Sequence, residues 1–468
     1  MLKWLLVVAA ACVVAMDVQD GGDRTRLQDM VDRTPPLVDV SKFIDALPPF
    51  PRPLRVAAPC TGIHGCGEAM SIMKAPIVTN NAFDLQEGYY SCLLQQLLEH
   101  GMQRVDIDKA LRLGKVAGDL MKVALDALDL PVDILICGPP CPPWAGQGNH
   151  KNLKDPRAKV FMRILNWVVV LAHCGGLLCV VIENVKGILA SYNGCESAAD
   201  RFIRALEFAV PFFSWAVETL HLVEYARPQT RVRTFIRGLR KTIAAVIPRS
   251  LPAFGRCDLK DVLGKFPHTP RASFSPQQQE NIMTYEKKIR RWVEMGHLKH
   301  GDIVAIAPDR REGLDLTFSQ SITVNNSPTL TTGNADVMFL SVSDVVNEVP
   351  DEQRTFFRKA MPTERLTLQG FRAQLVILLG QKLAEFASGN AYPPPLIVAT
   401  LYPLLRAIAD SNLDLAKWPP AGLPPMPPPD LMKKFQSLLT ARPRIINKEK
   451  HFDPNKKKRR RASSSEEE

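Results

Sequence analysis

The chain is notable first for what it lacks. None of its ten cysteines, at positions 12, 60, 66, 92, 137, 141, 174, 179, 195 and 257, forms a CxxC pair. No two-plus-two zinc spacing appears, and no metal site is expected. A 468-residue chain that is 46% hydrophobic has enough apolar surface for a core without disulfides, so the thiols read as reduced and intracellular. There is no internal repeat. The longest apolar run, 13 residues from Trp4 to Met16, is too short to cross a bilayer comfortably. With its single preceding lysine it has the form of a secretory signal. Charge of one sign is also scarcer in the body than the net +11 suggests. Residues 442–468 hold 10 Lys/Arg against 5 Asp/Glu, leaving +6 for everything before them. Such a body is compatible with a nucleic-acid partner without requiring one.

The two ends conflict. "KKKRRRASSSEEE", from Lys456, resembles a nuclear-import signal beside phosphorylatable serines, and the cysteine usage agrees with it. The expected destination is therefore the nucleus, with the N-terminal segment as the contrary indication.

Between the ends, residues 1–50 read as a leader, signal-like or disordered. From Leu54 a strand–turn–helix rhythm begins, with "LRVAAP", "AFDL", "VDILICG" and "LLCVVIENV" as strand candidates. Near-continuous apolar strands alternating with helices imply a mostly parallel sheet covered on both faces. Four further segments complete the expected organisation. Residues 51–240 form the main α/β part. Residues 241–362 form a smaller mixed region, with a helix capped by Ser275 and carrying four basic residues. Residues 363–415 return to the first part. Residues 416–468 are a Pro-rich linker, with seven prolines between Pro419 and Pro429, and a basic disordered tail.

Ligands of open α/β sheets bind beyond the carboxyl ends of the strands, so the residues found there carry the functional reading. After the first strand candidate comes the turn "PCTGIHGCG", Pro59–Gly67. Asp84 follows the second, 22 residues beyond Gly62, the separation at which an acid meets a ribose hydroxyl. Asp119 stands in "AGDL" before the third. That third strand empties into "GPPCPPWAG", which holds one thiol, Cys141, stiffly between prolines and before an exposed-looking Trp144. Glu183 and Asn184 end the fourth in "IENV".

In this order the motifs resemble those of the cytosine-5 DNA methyltransferases, over about residues 54–407. The resemblance implies a Rossmann-like, S-adenosylmethionine-dependent fold with a target-recognition domain. It places S-adenosylmethionine against Cys60, Thr61, Gly62, Ile63, Gly65, Asp84, Asp119 and Pro139, with Asn390 and Ala391 of "GNAYPPPL" returning beside it. It makes Cys141 the nucleophile and Glu183 the acid. "PQTRVR" supplies Arg231 and Arg233 as catalytic cations, and Gln229 and Asn184 as substrate-binding groups. "ERLTLQGF", Glu364–Phe371, resembles a further family motif, and "SPTLTT", Ser327–Thr332, a Thr-containing recognition element.

The implied chemistry is consistent with these residue types. C5 of cytosine is a poor nucleophile until a thiolate adds to C6 while an acid engages N3. The implied partner is double-stranded DNA with a flipped cytosine, and the loop 145–154 is basic and glycine-bearing enough to assist. The chain departs from the pattern at Pro142, where Gln is usual, at Ala145, where Ser is usual, and at His64, where a third glycine is usual and where a ring would crowd the cofactor. A related family acting on tRNA has a proline two residues after the nucleophile, as Pro143 is here. Its Cys-Phe-Thr tripeptide is absent, which leaves tRNA as the runner-up and a catalytically weak DNA-binding relative as the third reading.

Overall fold

The computed structural model describes residues 21–99, 118–145, 153, 155–191, 195–310, 322–330 and 337–445. The signal-like segment, most of the loop 145–154 and the basic run Lys456–Arg461 lie outside the described residues. Among those described, no helix is long and apolar enough to cross a membrane.

Six strands form the main sheet: β1 (Leu54–Pro59), β2 (Ile77–Phe83), β3 (Ile134–Cys137), β4 (Cys179–Val185), β5 (Phe213–His221) and β6 (Val232–Arg240). Their spatial order is β2-β1-β3-β4-β6-β5. All pairings are parallel except those of β6, which runs antiparallel to both neighbours. The apolar runs noted above alternate between two cores, because successive side chains of a strand point to opposite faces. Val56, Ala58, Ile134, Ile136, Cys179 and Val181 pack on one side, with helices Gly65–Ile72 and Pro394–Ala409. Ala57, Leu135, Cys137, Val180 and Ile182 pack on the other, with helices Ala158–Cys174 and Ala198–Ala209. Since β1 has β2 on one side and β3 on the other, the order in which strands join the sheet reverses there, and a crevice opens at the carboxyl ends of β1 and β3.

The region 241–362 builds a second sheet from β7 (Ile303–Ile306), β8 (Ile322–Val324), β9 (Met338–Ser341) and β10 (Phe357–Lys359), in the order β10-β9-β7-β8 and antiparallel throughout. Helix Pro276–Glu294 covers it. Ser275 caps this helix in a reciprocal capping box with Gln278. Of its four basic residues only Lys287 and Arg291 face outward. Lys288 is buried over the Trp292 ring, and Arg290 donates to the Val345 carbonyl.

Two segments differ from the sequence expectation. Within the leader, residues 21–33 form a helix whose Leu27, Met30 and Val31 are buried with Leu375, Val376 and Leu379. Within the Pro-rich linker, residues 416–445 are a strap bound to the body. Trp418 donates its indole N–H to the Gly176 carbonyl, and its own carbonyl accepts from Arg52 and Arg55. Helix Pro429–Thr440 then buries Phe435 and Leu439 in the second core. The prolines stiffen this strap; its apolar side chains dock it.

Candidate active site

The loop Cys60–Gly65 leaves β1 through three left-handed residues, Cys60 (φ 55°), Gly62 (φ 55°) and His64 (φ 60°). That sharp path is held from outside. The Thr61 amide donates to the Phe83 carbonyl at 3.0 Å, and Asp84 Oδ2 accepts from the Gly62 amide at 2.8 Å. Asp84 Oδ1 accepts from Gln86, so one carboxylate ties the ends of β1 and β2 together. Burial pushes the Asp84 carboxyl up, against the backbone N–H groups that stabilise its charge. Asp119 lies beside this loop, with Oδ1 capping the turn Leu120–Lys122. Tyr90 joins the two acids, its hydroxyl donating to the Asp84 carbonyl and accepting from the Gly118 amide.

This crevice fits a nucleoside. A Cβ built at Gly62 or Gly118 meets nothing within 4 Å, so the space over both turns is open. Two carboxylates stand at its edge to accept from hydroxyl and amino groups. Leu85 follows Asp84 at 71% exposure, an apolar surface available to a ring.

One of the loop residues sits differently from expectation. His64 does not crowd the loop. It is fully buried and turned inward, with Nδ1 2.6 Å from Gln96 Oε1, and Gly67 makes room for its ring. Gln96 in turn donates to Glu68, which pairs with Arg372. Ile63 packs in the core beside Phe371 and contributes backbone rather than side chain to the loop. Asn390 is exposed, and the Ala391 carbonyl accepts from Arg231 at 2.7 Å.

The nucleophile candidate follows β3. The Trp144 and Ala145 amides both donate to the Cys141 carbonyl, at 2.9 and 3.0 Å, closing a turn around the thiol. Trp144 is 1% exposed, not a surface residue. Its ring meets Phe161 and Phe202 edge-on at 5.2 and 6.1 Å and roots the turn in the second core. Cys141 is half-buried.

Sheet register brings Glu183 and Arg233 together, close enough to the thiol to act on its charge. Glu183 on β4 pairs with Phe235 on β6, which makes Arg233 its diagonal neighbour on the same face. Arg233 Nε stands 2.7 Å from Glu183 Oε1 in a largely buried ion pair. Burial nevertheless holds the Glu183 carboxyl above its usual range, with Arg233 and Arg231 opposing. Burial also pushes the Cys141 thiol up. Arg233 lowers it, Glu183 raises it and Arg231 lowers it, so all four groups share one electrostatic environment.

Arg231 has a second task. Its guanidinium donates to the carbonyls of Leu330, Gly389 and Ala391, tying the second region and the returning segment to the site. Burial, then Arg233, brings its pKa down to about 9. Gln229 is fully buried and pairs through its backbone with Ser327. Asn184 spends its side chain on the Pro139 carbonyl (3.4 Å) and the Val185 amide, fixing the Cys141 loop on β4. Sequence reasoning missed Tyr392, whose ring walls the site. A Cβ at Gly138 would stand 2.6 Å from Tyr392 Cδ1 and 3.3 Å from Glu183 Oε2, and one at Gly65 would stand 2.6 Å from the Tyr392 carbonyl. Its sequence signals were its place in "GNAYPPPL" and the two glycines that accept this close approach.

The family model of the C-5 cytosine-specific DNA methylases matches residues 106–406, more than half of the chain. The chain belongs to this family. Membership implies S-adenosylmethionine as the methyl donor, and the crevice described above fits it. Among similar proteins, the type II methyltransferase M.FnuDI of Fusobacterium nucleatum is 32% identical over 114 residues, 24% of this chain and 30% of that protein. M.AquIA of Picosynechococcus sp. is 28% identical over 134 residues, 27% of this chain and 52% of that protein. The aligned stretch thus spans 30% and 52% of the length of these two curated relatives. Among solved structures, the Entamoeba histolytica methyltransferase EhMeth aligns at a TM-score of 0.43 and 14% identity, over 76% of this chain and 99% of that one. S. pombe Dnmt2 aligns at 0.43 and 18%, over 75% and 99%.

Proposed function

We propose that this chain transfers a methyl group to C5 of cytosine in double-stranded DNA through a covalent bond between Cys141 Sγ and C6. The observation that carries the proposal is the buried Glu183–Arg233 pair beside the Cys141 thiol, at the mouth of a crevice that fits the methyl donor. The Cys141 thiolate adds to C6, and the electrons of the C5–C6 double bond shift towards N3, which takes its proton from Glu183. A carboxyl group raised by burial suits that donation. Arg233, held on Glu183, steadies the charge that develops on the ring and returns to the carboxylate. When bound, S-adenosylmethionine supplies an electrophilic methyl group on a sulfonium. C5, now an enamine carbon, would take that methyl; the Glu183 carboxylate takes back the N3 proton, and loss of the C5 proton to solvent with expulsion of the Cys141 thiolate restores the aromatic ring. The half-buried thiol cannot reach C6 of a stacked base, so the target cytosine is flipped out of the duplex.

The basic run Lys456–Arg461 supports a nuclear destination, against which the bacterial origin of the relatives above weighs. Deleting residues 456–468 should redistribute a tagged protein out of the nucleus. Transfer of label from S-adenosylmethionine tests the reaction. Label in duplex DNA supports the proposal, label in tRNA alone selects the tRNA reading, and label in neither overturns it.

A further inference from the structure

The strap that replaces the expected linker runs from one edge of the sheet to the other. It starts at the amino edge, where Trp418 meets Gly176 and the Arg240 guanidinium at the end of the antiparallel β6. Helix Ala198–Ala209 leads from the carboxyl end of β4 back to the start of β5, which is parallel to β4, so its first turn lies at the carboxyl edge. Helix Pro429–Thr440 packs along that helix, and the strap ends beside its start. There the Glu196 amide donates to the Arg444 carbonyl at 2.8 Å, the Arg444 amide donates to Glu196 Oε1 at 3.1 Å, and Ile445 bridges Cys195. The strap thus delivers Arg442 and Arg444, both exposed, to the edge that carries the active site.

A third cation stands on the same edge. Lys186 is exposed in the turn that follows Glu183 and Asn184. That turn is pressed on the nucleophile loop, since a Cβ at Gly187 would collide with the Trp144 carbonyl oxygen. From this turn, which runs to Ala190, the chain reaches Cys195, and the four residue steps from Ser191 to Cys195 can span at most about 14 Å. Glu196, the acid at the junction, is already neutralised by Arg204 at 2.7 Å and Arg201 at 3.5 Å. Among the described residues none of Lys186, Arg442 and Arg444 is in an ion pair. Three unneutralised cations on one edge, two brought there from the far end of the sequence, form a surface for a polyanion.

We infer that Lys186, Arg442 and Arg444 form a phosphate-binding rim that holds the backbone of duplex DNA beside the Cys141 crevice. The inference rests on the methyl-transfer reading for its choice of duplex DNA, and on the strap's path for its residues. Each phosphate contact adds about 0.9 to the slope of log affinity against log salt. The full-length triple variant K186Q/R442Q/R444Q should therefore lose about 2 to 3 from that slope on an oligonucleotide duplex, and its Kd near physiological salt should rise at least tenfold. Lys417→Gln, at the amino edge, should leave both unchanged. A triple variant with the wild-type slope, or one that loses slope on tRNA but not on duplex DNA, overturns the rim. Failure of the wild type to transfer methyl groups overturns the reaction instead, and the two failures are separately readable.

Discussion

Gly138 offers a perturbation whose size can be worked from the structure. It follows β3 directly, with the Tyr392 ring above it and Glu183 beside it. Substitution by Ala would put a methyl carbon 2.6 Å from Tyr392 Cδ1, about an ångström inside ordinary carbon–carbon contact. Tyr392 is buried and cannot swing into solvent, so the loop or the ring must shift. Overpacking of this kind costs about 1–3 kcal/mol. Tyr392→Ala alone opens a cavity and costs about 3–5 kcal/mol. In that background the methyl of Gly138→Ala enters empty space, and its cost should fall below about 0.5 kcal/mol. The coupling between the two changes should then be about 1–3 kcal/mol, measured as a double-mutant cycle by urea denaturation. Gly138→Ala should also slow methyl transfer at least tenfold, because the displaced ring pushes on the Glu183 carboxyl. Strict additivity of the two mutations would refute the close approach of Gly138 and Tyr392.

Other predictions separate the roles of individual groups. Glu183→Gln removes a charge that raises the Cys141 thiol, so iodoacetamide should label Cys141 faster at fixed pH while methyl transfer is lost; slower labelling would contradict the shared environment. In the wild type that labelling should climb about tenfold per pH unit to beyond the ordinary thiol range, since burial holds the thiol protonated as pH rises. Asp84→Ala should weaken S-adenosylmethionine binding about ten- to a hundredfold by calorimetry, the loss of roughly 1.5–3 kcal/mol for a hydrogen bond to a charged group. Unchanged binding for both Asp84→Ala and Asp119→Ala would remove these acids from the cofactor site. Phe435→Ala should destabilise the protein by about 3–5 kcal/mol in urea denaturation. A change under about 0.5 kcal/mol would return the strap to the status of a linker.

The parts legible in the sequence are those written in local chemistry. Apolar strands followed by Cys60, Asp84 and Cys141, and one carrying Glu183 near its end, announced a parallel sheet with its ligands at one edge, and Ser275-Pro276 marked a helix start. Positions set by long-range packing were not legible. Trp144 looked exposed because prolines precede it, yet Phe161 and Phe202, distant in sequence, receive its ring. His64 looked obstructive because its left-handed backbone and the gap at Gly67 turn the ring inward only in the folded chain. The spacing of Leu27, Met30, Val31 and Thr34 is that of a helix face, but a polar composition masked it. Phe435 and Leu439 make a similar pair hidden behind seven prolines.

The central claim is a bond between one sulfur and one carbon. With 5-fluorocytosine at the target position of a duplex there is no C5 proton to lose, so the adduct formed in the presence of S-adenosylmethionine cannot resolve. A denaturant-stable protein–DNA complex should accumulate, and mass spectrometry of the trapped peptide should place the modification on Cys141. Cys141→Ser should abolish it, because a hydroxyl is far less ionised than a thiol at neutral pH. Replacement of any of the other nine cysteines should leave it in place. An adduct on a different cysteine, or methylated DNA without any trapped complex, would contradict the account.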